Sequence, residues 1–154
     1  MGKTLREISS PEIVSELIKA NADEWLAYYL YNFLAQSISG SLYPQLKEML
    51  EETAKSEYEH ANELADMIVK LGGKLIADPM SLEENANSPS IIPTGEINLE
   101  TVCEIIAESE ANAIRIYNAL ALKTKDTDIA VYKLVSHILS EEIDHEEMFE
   151  NLTK

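Results

Sequence analysis

Two four-residue segments carry the same ligand chemistry. Glu57-Tyr58-Glu59-His60 and Glu142-Ile143-Asp144-His145 each set a carboxylate three residues before an imidazole. Residues three apart on a helix share a face, so each segment can offer an oxygen and a nitrogen to one ion. One such segment is a weak signal in a chain so rich in Glu, and two together are a modest coincidence. The third histidine, His137, has Leu134 three residues before it, lies off the apolar stripe and reads as a surface residue. The wider spacing adds weight: Glu24 precedes Glu57 by almost the same distance as Glu110 precedes Glu142. Tyr31 and Tyr117 repeat as well, each two helical turns beyond its lone Glu.

Positioning these residues takes four long helices. The first, expected from Ser10 as N-cap and Pro11 as first residue, carries Val14, Leu17, Tyr28, Tyr31, Ala35 and Ile38, with Gly40 as its C-terminal cap. The second, from about Leu42 to Pro44 as far as Leu71, carries Leu46, Leu50, Leu64 and Ile68 and stops at Gly72-Gly73. The third starts at Asn98 and carries Val102, Ile106, Ala113, Ile114, Tyr117 and Leu120. After a polar turn over Lys123 to Thr127, the fourth carries Val131, Val135, Ile138, Phe149 and Leu152. These apolar residues recur at three- and four-residue steps. Residues 72 to 97, with three prolines, are too long for a tight turn and read as a crossover along the bundle. The expected fold is all-α: one domain over residues 1 to 154, a four-helix bundle with one long crossover between helices 2 and 3.

Each stripe has a gap where a charged residue stands. Glu24 interrupts the first, Glu57 and His60 the second, Glu110 the third, Glu142 and His145 the fourth. All six therefore turn inward. Four carboxylates inside a core repel one another and lose hydration, which costs several kcal/mol per uncompensated ion. Two divalent cations would balance four carboxylates, with both histidines neutral. Oxygen donors with two imidazoles suit iron or manganese; zinc would bind without redox chemistry. One cysteine, Cys103, excludes an all-thiolate site. The phenols of Tyr31 and Tyr117 read either as hydrogen-bond partners of the metal carboxylates or as core aromatics. Trp25 reads as a packing or interface residue, or as an electron donor beside the metals. Glu51, Glu52, Glu63, Glu104, Glu108, Glu141, Glu146 and Glu147 read as solvated surface.

The 154 residues carry a net charge of −16, with hydrophobic residues at 45% and charged residues at 26%. Such a chain suits a folded acidic protein and repels nucleic acid and anionic membranes. The segment Met1-Gly2-Lys3-Thr4-Leu5-Arg6 has too few basic residues for a DNA-binding arm. With no intrachain disulfide possible, no signal-like leader and no run of about 18 apolar residues, a cytoplasmic location is expected.

With these residues in place, the chain resembles the ferritin-like superfamily over residues from about 10 to 152. A lone Glu on two helices with Glu-x-x-His on the other two is the known arrangement of its di-iron carboxylate bundles. Glu24-Trp25-Leu26-Ala27 through Tyr31, and both Glu-x-x-His helices, are similar to bacterioferritin. Leu71-Gly72-Gly73, the Pro-containing crossover and the stretch from Ile138 to Glu147 are similar to the Dps-like group with a bacterioferritin-type site. The resemblance implies Glu57 and Glu142 as bridging ligands of two irons, Glu24 and Glu110 as terminal ligands, and His60 and His145 one on each. It implies an iron-storing ferroxidase that uses hydrogen peroxide or dioxygen and protects against oxidative stress. A homo-oligomeric cage follows, of twelve rather than twenty-four subunits.

Three departures matter. Tyr58 stands where bacterioferritin has its haem-ligating Met, so no haem is expected. The sequence stops at Lys154, before any fifth helix. No Cys stands near Ala121 or in the crossover, where many Dps-like members carry a pair, which disfavours thiol chemistry. Charge disfavours direct DNA binding despite the group's name. Two rivals remain: a di-iron oxidase or peroxidase acting on a small molecule, and a metal-free helical interaction module.

Overall fold

Gly72 and Gly73 show how locally the chain ends its helices. In the computed structural model, which describes residues 2–38 and 44–154, Gly72 adopts φ +83°. Its N–H bonds to Val69 O at 3.0 Å and that of Gly73 to Ile68 O at 2.9 Å. This paired closure satisfies the last carbonyls of a helix and requires a left-handed residue, which glycine adopts without strain. A Cβ on Gly73 would stand 2.5 Å from Val14 Cγ1, so the turn also lets two helices approach closely.

Six helices follow in chain order: α1 (Lys3–Ile8), α2 (Ile13–Ser37), α3 (Pro44–Lys70), α4 (Leu82–Asn85), α5 (Leu99–Thr124) and α6 (Ile129–Glu150). The described residues hold no strand. No described helix is long and apolar enough to cross a membrane. The long helices α2, α3, α5 and α6 are those expected, pairing as hairpins α2–α3 and α5–α6. The crossover joins the hairpins and carries a 3₁₀ turn at Pro79–Ser81 followed by α4.

Several expected boundaries move, for physical reasons. The long helix α2 starts at Ile13, not at Ser10-Pro11. Ser10 is committed elsewhere: its N–H and Oγ each donate at 2.8 Å to Asp128, ahead of α6. The short α1 before it was not foreseen. Asn98 does cap α5, its Oδ1 accepting from Thr101 N at 3.0 Å. That helix then runs on to Thr124, inside the expected turn, because the Thr124 side chain is fully buried and its Oγ1 bonds back to Leu120 O. Gly40 and Leu42, the expected cap and start, lie outside the described residues.

The core is split in two. One cluster gathers Ile13, Leu17, Leu64, Ile68, Leu120, Val131, Val135 and Ile138. The other gathers Leu30, Leu34, Leu46, Leu50, Val102, Ile106 and Phe149. On every long helix the six polar residues fall between members of the two clusters, so an apolar plug closes each end of a polar centre.

Candidate metal centre

Glu24, Glu57, His60, Glu110 and Glu142 are all buried, and His145 is 12% exposed at its side chain. Their ligand atoms fall into two overlapping groups, each within 4.8 Å across. One comprises Glu24, Glu57, His60 and Glu142; the other comprises Glu57, Glu110, Glu142 and His145. Glu57 and Glu142 belong to both, so two ions held here would share those carboxylates. His60 Nδ1 stands 2.9 Å from Glu142 Oε1, 3.5 Å from Glu57 and 3.6 Å from Glu24. His145 Nδ1 stands 3.1 Å from Glu57 Oε1 and 3.6 Å from Glu110.

These are ion-pair distances, not directed hydrogen bonds. One atom from each residue has no hydrogen-bond partner: Glu24 Oε2, Glu57 Oε1, His60 Nδ1, Glu110 Oε2, Glu142 Oε1 and His145 Nδ1. Buried polar atoms are almost always paired, so six orphans from six residues facing one space suit a cation. The residues fit two first-row divalent ions in donor type and charge.

The phenols stitch the hairpins crosswise. Tyr31 on α2 donates to Glu110 Oε1 on α5 at 2.8 Å, and Tyr117 on α5 donates to Glu24 Oε1 on α2 at 2.5 Å. Both tyrosines are core aromatics and carboxylate partners at once.

Protonation follows the charge. Burial, then the negative charge of Glu24, pushes Glu57 well above the carboxylate range. Burial, then Glu57 and Glu110, does the same to Glu142. Burial acts to raise Glu24 too, but its close contacts with Glu57 and His60 and the hydrogen bond from Tyr117 outweigh it and hold Glu24 low. Burial acts to lower both histidines, but the facing carboxylates prevail and raise them. Burial, then Glu110 for Tyr31 and Glu24 for Tyr117, keeps both phenols protonated as donors. The free centre therefore holds protons that a metal would displace.

One surface expectation fails. Glu141 is not simply solvated: its Oε2 lies 2.6 Å from His60 Nε2, 3.3 Å from Ser56 Oγ, and its Oε1 3.0 Å from His137 Nε2. Hydrogen bonding with His60 outweighs partial burial and lowers its carboxyl. His137 is exposed, as expected. Asp23 was also missed. Its carboxylate accepts from Asn87 N at 2.8 Å, Asn87 Nδ2 at 2.7 Å and Ser88 N at 3.4 Å, clasping the crossover to α2. Beneath the clasp lies a chamber of about 450 Å³ that reaches Glu24, Glu57 and Glu142 and is walled by Leu30, Ile91 and Ile116. A short chain thus builds a substrate-sized space after all, with the crossover as its roof.

Trp25 packs edge-on against Tyr28 and Tyr58, with ring centroids 6.2 and 5.7 Å away. Tyr29 and Phe33 on α2, Tyr58 on α3 and Ile92 in the crossover are exposed. Cys103 is buried beside Phe149 O, far along α5 from Glu110.

Comparison with known proteins agrees on family. Residues 14–154 match the ferritin family, described as a ferritin-like domain. A DNA protection during starvation protein from Pyrococcus furiosus is 30% identical over 145 residues, which span 94% of this chain and 78% of that protein. A dodecameric thioferritin, the bacterioferritin-related protein from Bacteroides fragilis, superposes with TM-score 0.90 at 30% identity, over 97% of this chain and 89% of that one. Dps from Thermosynechococcus elongatus superposes with TM-score 0.84 at 20% identity, covering 98% and 93%, a likeness of fold.

Proposed function

Since the chain belongs to the ferritin-like domain family, we propose that it is an iron-sequestering ferroxidase with Fe(II) as substrate. Two Fe(II) per subunit bind at the mid-bundle centre, give their electrons to hydrogen peroxide or dioxygen, and are kept as ferric mineral in a homo-oligomeric cage. The observation that carries this reading is the convergence of six orphaned ligand atoms between two apolar plugs.

The residues divide the work. Glu57 and Glu142, shared by both groups, hold the two ions together; Glu24 with His60 and Glu110 with His145 complete one position each. Tyr117 and Tyr31 fix the outer carboxylates from behind. Arriving Fe(II) displaces the protons held by Glu57, Glu142 and the histidines. Each Fe(II) gives one electron. Two electrons break the O–O bond of one peroxide, which takes up two protons and leaves as two waters. Removing Fe(II) and peroxide together suppresses hydroxyl-radical formation. Manganese and zinc compete for the same donors; haem has no part, with Tyr58 on the second helix where a thioether would be needed.

The cage is supported by the relatives and by the aromatic face of α2 and α3, where Trp25, Tyr28 and Tyr58 pack on one another and Tyr58 stays exposed. A twelve-subunit shell is the favoured form. Subunits of charge −16 would concentrate Fe²⁺ around such a shell and repel DNA phosphate.

Anaerobic Fe(II) titration tests the reading. Saturation near two irons per subunit, followed by fast oxidation on adding peroxide, is the expected result, with a large closed particle on size exclusion. A monomer or dimer would sink the storage role. Loss of neither binding nor oxidation in Glu57→Ala with Glu142→Ala would refute the site.

The chamber beneath the crossover favours a second reading, oxidation of a small apolar molecule at the same centre. Rapid oxidation of iron alone, with mineral formed and no organic cosubstrate, decides for storage.

A further inference from the structure

The two metal positions are built from equivalent residues but are not equally supported. His60 is fully buried, and its outer nitrogen, Nε2, meets Glu141 Oε2 at 2.6 Å. Glu141 is itself held from two sides, by Ser56 Oγ on α3 and by His137 Nε2 one turn back on α6. His145 is partly exposed, and no side chain among the described residues partners its Nε2. The difference traces to one pair of positions. Glu141 immediately precedes Glu142, and its counterpart before Glu57 is Ser56. A glutamate reaches across to the other helix's histidine. The shorter serine instead lies 3.5 Å from His60 Nε2 on its own helix and donates to Glu141 Oε2 at 3.3 Å.

A carboxylate on the far nitrogen of a ligating histidine keeps its proton there, frees the near nitrogen's lone pair for the metal, and raises its basicity. We propose that Glu141 is a positioning residue for His60 and makes the two metal positions unequal, so that Fe(II) fills the position formed by Glu24, Glu57, His60 and Glu142 first and exchanges most readily at the position of Glu110 and His145. The inference rests on the metal-centre reading above and adds an order of binding to it. The partial exposure of His145 suits the second position as the one that takes up and releases ions.

The test uses the full-length apo-protein and Co(II), whose visible absorption reports binding without oxidation. Wild type fills in two steps, and His60→Ala loses the tighter one. Glu141→Ala weakens that step about 10- to 100-fold, the usual cost of losing such a partner, in wild type and in a His145→Ala background alike. In a His60→Ala background it changes binding less than twofold. Glu141→Gln, which keeps an acceptor but not the charge, falls between. Glu141 is 35% exposed at its side chain, so the variants should fold, and circular dichroism checks that they do. Two equal steps in wild type, or an undiminished effect of Glu141→Ala without His60, would overturn the proposal. No Co(II) binding by wild type would instead overturn the metal-centre reading, and this inference with it.

Discussion

The hairpins α2–α3 and α5–α6 bring the same ligands in the same order, yet they treat their histidines differently. Carboxylates and phenols repeat: Glu24 with Tyr117, Glu110 with Tyr31, Glu57 and Glu142 between them. Imidazole support does not: His60 has Glu141, and His145 has no such partner among the described residues. The repeated part is what would balance two divalent ions. Four carboxylates match the four positive charges of two such ions, whichever helices supply them. The broken part governs how tightly each ion is held. A duplicated design can therefore stay symmetric in what it binds and become asymmetric in how it lets go, through a single position, Ser56 against Glu141.

The largest effect that could break this comparison comes from the histidines themselves. His60→Ala should abolish the tighter binding step, a loss beyond the 10- to 100-fold expected for losing its Glu141 partner. His145→Ala should remove only the weaker step and leave the first within a few-fold. Isothermal titration with Zn(II) measures both. Equal losses would mean that the halves are functionally symmetric.

The tyrosines sharpen the comparison from the other side, because here the halves should agree. Tyr31→Phe and Tyr117→Phe each remove a donor from a buried carboxylate, a bond to a charged group worth about 1.5–3 kcal/mol. Chemical denaturation of the apo-protein should show similar losses for both, since each phenol is equally buried. A marked difference would move the asymmetry from the imidazoles to the carboxylates.

Acidity gives a third comparison, free centre against filled. Glu57 and Glu142 are raised in the folded state, so above the ordinary carboxylate value the native chain holds more protons than the unfolded one. Raised His60 and His145 act in the same direction above the ordinary histidine value. In both windows native protons exceed unfolded ones, so stability falls as pH rises. Glu24, which is lowered, works the other way only at acid pH. Thermal unfolding of the apo-protein should therefore show a melting temperature several degrees higher at pH 6 than at pH 8. Zn(II) should cancel or reverse the slope, because metal replaces the protons.

What the sequence reveals divides along the same physical line. Asn98 and Gly72 were legible because each acts on its own helix end, within a few residues. The six candidate ligands stood out because helical periodicity turns them inward and their spacing repeats, and the structure brings all six side chains together. Ser10 misled because its partner, Asp128, lies on the turn of the other hairpin. Glu141 looked solvated because its partner stands across the bundle on α3. The roof over the chamber escaped notice for the same reason: α4 and the crossover are fastened by Asp23 of α2. Burial pushes Asp23 up to about 6 even against those bonds, a tension that no local pattern displays.

The smallest expected effect is the most informative, because it tries to restore the missing symmetry. Ser56→Glu places at the head of the first motif the residue that Glu141 supplies in the second. If Ser56 and Glu141 are true counterparts, the new carboxylate reaches toward His145 Nε2, and the weaker Co(II) step should tighten by about tenfold, the lower bound for gaining such a partner. It also brings a second negative charge beside Glu141, which like-charge repulsion opposes, so the tighter step should loosen slightly. The two steps converge. Convergence driven only by loss of the tighter step would show that Ser56 serves His60 and Glu141, with no hold on His145. In that case the inequality of the two positions would reside in His145's exposure, and a buried apolar neighbour at the α6 end, not a carboxylate, would be the change that closes the gap.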